Sequence, residues 1–174
     1  MKSAILLLLI LSICSFSANA QSGADNNSPS NTEKIPIADV KDLDGKTIST
    51  ASFSNNGKPI LVVFWNSVHK FPTKELEALQ DNYENWKTRT GVKIIVISID
   101  DSRTASRVAP MVNAKGWDFE FYLDINSDFK RAMNVNLVPH TFLINGSGEI
   151  VWQMVAFEEG NEFLIYDELK KIKN

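Results

Sequence analysis

Two histidines occur in the 174-residue chain, His69 and His140, and its one cysteine is Cys14. Imidazole suits general acid–base work near neutral pH, and in its neutral form it ligates divalent metals. Nucleophilic catalysis through His69 would need a nucleophile and an orienting group. Ser67 lies two positions away, but spacing identifies no residue that would orient the pair. A metal site would need more donors, because structural zinc takes four protein ligands and catalytic zinc three, and no third ligand is evident by spacing. Asp100-Asp101 could act as a ligand pair, but an aspartate where a strand turns into a helix also serves as an N-cap. One cysteine excludes a disulfide framework and a cysteine-based zinc finger.

The chain that must position these residues begins with a segment to set aside. Met1-Lys2-Ser3 is short and basic, residues 4–13 form an apolar run interrupted only by Ser12, and a more polar stretch ends in Ala18-Asn19-Ala20. That is the pattern of a secretory signal peptide over residues 1–20, cut after Ala20. The apolar run is well short of the about 20 residues that span a bilayer as a helix, so an uncleaved anchor is disfavoured and the mature chain is expected to have no transmembrane segment. A lipid anchor on Cys14 is the alternative, opposed by the bulky Ile13 beside the cut. Cleavage removes Cys14, leaving a mature chain without a thiol. Lys2 leaves too, which takes the balance from 18 basic and 21 acidic residues, net −3, to 17 and 21, net −4.

That mildly acidic balance has no basic footprint for nucleic acid. A composition of 44% hydrophobic and 22% charged residues is that of a globular protein. Residues 21–34 are almost wholly polar and rich in Ser, Asn and Gly, and read as a flexible leader. Residues 35–174 form one domain with no internal repeat.

Within it strands and helices alternate. Residues 35–40 read as a strand, Asp44-Gly45 as a hairpin turn and residues 46–49 as its return. Residues 60–65, Ile-Leu-Val-Val-Phe-Trp, are apolar throughout, as in a central strand covered on both faces. Leu76, Leu79, Tyr83 and Trp86 recur at steps of three and four, predicting an amphipathic helix over residues 73–88. A second buried strand covers residues 92–99, and a helix covers 102–114, closed by Lys115-Gly116. A short strand at 119–123 and a short helix at 128–133 follow. Residues 141–144 and 149–155 flank the turn Asn145-Gly146-Ser147-Gly148, and a last helix carries Ile165, Leu169 and Ile172. Trp117, Phe119, Phe121 and Tyr122 read as core. The order predicts an α/β fold: a mixed central sheet with helices on both faces and an N-terminal β-hairpin.

Three segments resemble the thioredoxin-like superfamily, in particular the exported TlpA/ResA type of thiol–disulfide oxidoreductase and its peroxiredoxin relatives. They are Asp42-Leu43-Asp44-Gly45-Lys46 with Gly57-Lys58-Pro59; residues 64–72, Phe-Trp-Asn-Ser-Val-His-Lys-Phe-Pro, continuing into Lys74-Glu75-Leu76; and Val138-Pro139-His140-Thr141-Phe142-Leu143-Ile144 with Gly148-Glu149-Ile150-Val151. The resemblance covers the chain from Ile35 onward and implies a thioredoxin-like fold with Pro139 as its cis-proline. It also shows a departure. His69 and Pro72 stand where the family has its two active-site cysteines, and Val68 replaces a tryptophan. Thiol–disulfide exchange needs an attacking thiolate and a resolving thiol, so the activity that the family implies does not carry over.

The resemblance further implies that His69 sits at the N-terminus of the residue-73 helix, where the helix dipole favours the neutral imidazole, with His140 on the facing cis-proline loop. Copper, nickel or zinc binding or delivery through His69 and His140 is one expectation; otherwise no cofactor is expected. The other, preferred here, is a redox-inactive, non-enzymatic periplasmic protein of the cell envelope that grips a protein or peptide partner at the former active-site groove. That groove is expected to be lined by Trp65, Val68, Lys70, Phe71, Val138 and His140.

Overall fold

The computed structural model describes residues 33–68 and 70–172, residues 70–72 by their backbone alone. The expected signal peptide, His69 and nearly all of the leader lie outside the described residues. The sheet has seven strands: β1 (Asp39–Asp42), β2 (Thr47–Ser49), β3 (Ile60–Trp65), β4 (Lys93–Ser98), β5 (Glu120–Leu123), β6 (His140–Ile144) and β7 (Ile150–Val155), in the spatial order β2-β1-β5-β4-β3-β6-β7. The helices are α1 (Lys70–Thr90), α2 (Val108–Lys115), α3 (Asp128–Ala132) and α4 (Asn161–Lys171). Strands β3, β4 and β5 run parallel, whereas β6 lies antiparallel against β3. The mixed α/β architecture predicted from the sequence is the one observed.

Alternation along the central strands builds a core on each face. Leu61, Val63 and Trp65 of β3 join Leu76, Leu79, Tyr83 and Trp86 of α1 and Ile165 and Leu169 of α4. Ile60, Val62 and Phe64 face the other way, toward Phe129 of α3 and Phe142 of β6. Leu76 and Leu79 are fully buried, each worth about 1.5–3 kcal/mol relative to an exposed side chain. Trp86 and Tyr166 stack at 5.8 Å and tie α1 to α4. No helix among the described residues is long and apolar enough to cross a membrane.

Three boundaries differ from the sequence reading. Residues 35–38 do not pair in the sheet with β2. Thr50 Oγ1 instead accepts from the Ala38 N–H at 2.8 Å and donates to the Pro36 carbonyl at 2.8 Å, while Pro36 has no N–H to give a ladder. Helix α1 starts at Lys70, not Thr73. Pro72 fits there because the first-turn N–H groups have no intrahelical acceptor. Helix α2 starts at Val108, after a short 3-10 turn at Ala105–Arg107. A helix begun at residue 102 would put Pro110 in its interior, where the ring clashes with the preceding turn. Gly116 closes α2 in the left-handed region, its N–H donating to the Val112 carbonyl at 3.0 Å.

Candidate functional site

The carboxyl ends of β3 and β4 lie side by side, with Trp65 paired to Ser98. Ligand sites in open α/β sheets form at such ends, where neighbouring connections diverge. The turn leaving β3 is held by local and long-range bonds together. The Asn66 side-chain oxygen accepts the Val68 N–H at 2.9 Å, an Asx turn. Ser67 is anchored from outside the turn: its N–H donates to Asp100 Oδ2 at 2.8 Å and its hydroxyl to Oδ1 at 2.6 Å. Asp100 is fully buried and also accepts the Ser98 hydroxyl at 2.8 Å. Its carboxylate therefore fixes where the turn stands before α1 begins.

Asp100 and Asp101 do different work. Asp101 Oδ1 accepts the Arg103 N–H at 3.0 Å, and its Oδ2 receives the guanidinium at 2.7 Å. Those bonds hold the Asp101 carboxyl below the usual carboxylate range. Neither aspartate is a helix N-cap as the sequence suggested: Thr104 precedes the 3-10 segment and Arg107 precedes α2, both without a side-chain cap bond, while Asp101 closes a local Asx turn and Asp100 reaches back to Ser67.

The other wall comes from the loop before β6. The Val138–Pro139 peptide is cis, and the Pro139 carbonyl accepts the Ala156 N–H at 2.9 Å. Two residues on, the Thr141 hydroxyl donates to Glu75 Oε1 at 2.5 Å and bonds β6 to α1. Glu75 is fully buried, and its Oε2 has no hydrogen-bond partner among the described residues. Burial pushes this carboxyl up to about 7, with the Thr141 bond opposing. Glu75 entered the sequence reading only within the matched segment. Its signal was an acidic residue next to Leu76 and four before Leu79, on the inward face of the helix.

His140 lies on the opposite face of the sheet. It pairs with Phe64 in register and stacks on Phe142, ring centroids 4.1 Å apart, within the α3-side core. Thr141, between them, points to α1. The His140 Nε2 bonds the Gln153 side-chain oxygen at 3.0 Å, and its Nδ1 has no partner. Burial lowers its pKa and the Gln153 bond opposes this, so the imidazole stays neutral near pH 7 with its proton on Nε2. With His69 outside the described residues, the pairing of the two imidazoles rests on the sequence alone. Among the described residues no group of three or more His, Cys, Asp or Glu side chains is placed to hold a metal ion.

The residues expected to line a groove divide. Trp65 is fully buried, edge-on to Trp117 at 6.0 Å, so it supports the site from beneath and does not line it. Its indole belongs to the α1-side core because β3 alternates, and Phe64 takes the opposite face. His140 is buried as well. Val68 is 48% exposed and Val138 is half-buried. Lys70, Phe71 and Pro72 occupy the first turn of α1. Leu137, which the sequence reading omitted, is 67% exposed beside the cis peptide.

Comparison with known proteins gives a consistent picture. Residues 32–153 match the AhpC/TSA family. The chain is 28% identical over 172 residues to thiol-disulfide oxidoreductase ResA of Bacillus subtilis, covering 99% of this chain and 92% of that protein. Among solved structures, an uncharacterized thioredoxin-like protein from Porphyromonas gingivalis superposes with a TM-score of 0.72 at 38% identity, covering 82% of this chain and 94% of that one. StoA from Bacillus subtilis superposes with a TM-score of 0.59 at 20% identity, over 76% and 97% of the two chains, and shows the shared fold.

Proposed function

The chain belongs to the AhpC/TSA family, and from that premise we propose that it is an exported thioredoxin-fold binding module without redox chemistry of its own. One observation carries this reading: the sole cysteine is Cys14, inside the signal-like segment, and His69 and Pro72 fill the positions of the family's two sulfurs. Without a thiolate there is no attack on a disulfide. The scaffold around the lost chemistry is nevertheless built in detail, from the Asp100-anchored turn to the Glu75–Thr141 bond. Val68 and Leu137, both exposed, supply apolar surface beside it for the extended backbone of a protein or peptide partner in the cell envelope.

The test has two arms. In a disulfide-reduction assay, the purified protein is expected to match the protein-free blank; turnover above it would restore the oxidoreductase reading. A photo-crosslinking residue at position 68 or 137 is expected to trap a discrete partner in the native envelope, and one at position 44 is not. Equal labelling from all three positions would sink the binding reading.

A second reading, divalent-metal binding through His69 and His140, has one observation in its favour. The His140 imidazole is kept neutral by burial, and its Nδ1 makes no hydrogen bond. Calorimetric titration with copper, nickel and zinc tests it; stoichiometric binding must vanish in His69→Ala/His140→Ala.

A further inference from the structure

A cleft of about 640 Å³ lies between α1 and the chain leading from β7 into α4. Glu77 and Asp81 of α1 form one wall, and Glu158, Glu159 and Glu162 belong to the other. Lys74 is the one cation among its described lining residues, and Lys115 reaches Glu77 at 2.5 Å. Asp81 and Glu159 have no ion-pair partner among the described residues. Apolar surface accompanies the charge: Ala78 and Phe157 line the cleft, and Phe163 and Leu164, next to Glu162 on α4, are 66% and 53% exposed.

Unneutralised carboxylates on facing walls focus a negative potential into the space between them. The half-buried Phe157 and Ala78 that line that space favour a ligand that brings apolar groups of its own. The cleft also adjoins the site above. The Ala156 N–H bonds the Pro139 carbonyl at 2.9 Å, which sets Phe157 one residue from the cis-proline loop, and Lys74 lies in the second turn of α1.

We propose that this cleft is a docking surface for a basic amphipathic segment of a partner protein, with Lys or Arg side chains against the carboxylate walls and an apolar side chain on Phe157. The inference rests on the partner-binding reading and gives the partner a chemistry: a cationic stretch that follows the segment held at the cis-proline loop.

The test is fluorescence anisotropy of the purified protein with a labelled 12-residue peptide of lysine interleaved with leucine and phenylalanine. Its glutamate-for-lysine counterpart is expected not to bind, and a lysine–serine peptide is expected to bind more weakly. Affinity for the first peptide should drop steeply with added salt, as screening shortens the reach of the walls. Asp81→Lys/Glu159→Lys should weaken it at least about ten-fold, and the charge-matched Asp39→Lys/Asp44→Lys should leave it within about two-fold. Circular dichroism melting verifies that each variant is folded. Equal loss in both double variants would reduce the effect to general charge attraction and overturn the proposal, as would unchanged binding by Asp81→Lys/Glu159→Lys. Loss confined to Val68→Asp/Leu137→Asp would also overturn it, by placing the peptide at the former active-site turn, while sparing the partner-binding reading.

Discussion

The carboxylate of Asp100 takes both the N–H and the hydroxyl of Ser67, 33 positions earlier in the chain, at 2.8 and 2.6 Å. With the Ser98 hydroxyl as a third donor, the buried acid is satisfied by neutral groups. The turn between β3 and α1 is thereby held at the end of β4 by side-chain chemistry and not by its own sequence alone.

Replacing that acceptor should therefore cost more than removing one donor. Asp100→Ala leaves the Ser67 N–H and two hydroxyls without their acceptor and is expected to destabilise by about 2–4 kcal/mol. Ser67→Ala, which keeps the N–H bond, should cost about 1 kcal/mol. Urea unfolding gives both values, and an Asp100→Ala variant as stable as Ser67→Ala would remove Asp100 from this role.

Glu75 makes stability depend on pH in an unusual direction. Its folded pKa, about 7, lies above the ordinary 4.5, so between these values the native state holds a proton that the unfolded chain releases. Stability contributed by the protonated form is complete below about pH 4.5 and falls as pH rises toward 7, by about 3 kcal/mol in all. Glu75→Gln should flatten this part of the profile. An unchanged slope in Glu75→Gln would assign the dependence to another group.

His140 acts in the opposite sense on the acid side. Its folded pKa is depressed by burial, so below its ordinary 6.5 the unfolded chain gains a proton that the native state resists. Stability is lost as pH falls through 6.5 toward the folded value. The difference between wild type and His140→Leu, measured by denaturant midpoints at pH 7.5 and 5.5, should isolate this contribution. A difference that does not move between the two pH values would contradict it.

Gly146 and Gly148 share one hairpin turn but are required for different reasons. A Cβ on Gly146 would lie 2.0 Å from the Gly57 carbonyl oxygen, whereas Gly148 has open space and a φ of +81°. Gly146→Ala should cost about 2–3 kcal/mol, because backbone must move. Gly148→Ala should cost about 1 kcal/mol, from conformation alone. Thermal melts that ranked the two in reverse would count against the Gly57 contact.

Surface changes at the β3–α1 turn and beside the cis peptide should separate binding from folding. Val68→Asp and Leu137→Asp alter side chains that are 48% and 67% exposed, and each should shift stability by less than about 0.5 kcal/mol. Partner crosslinking should nevertheless fall to background. A loss of fold in either variant, seen by circular dichroism, would mean that these side chains pack in the native protein.

Several features followed from the sequence by itself. The all-apolar run of β3 can only be a strand or helix buried on every side, and its length and the flanking turns favour the strand. The three- and four-residue steps of α1 and the Asn145-Gly146 turn are equally local signals, because backbone periodicity and glycine conformation act over a few residues. The absence of sulfur at positions 69 and 72 is a matter of composition. The tertiary structure decided what depends on register and long-range contact. Pairing β6 against β3 sends His140 and Phe142 to one face and Thr141 to the other, so Thr141 and not His140 meets α1. The same alternation buries Trp65 beneath the site it was expected to line. Asp100 reaches Ser67 because β3 and β4 end together, and Glu75 is enclosed because α1 packs over β6. These meetings join residues 33 and 66 positions apart; they arise from the order of strands in the sheet, which local sequence does not encode.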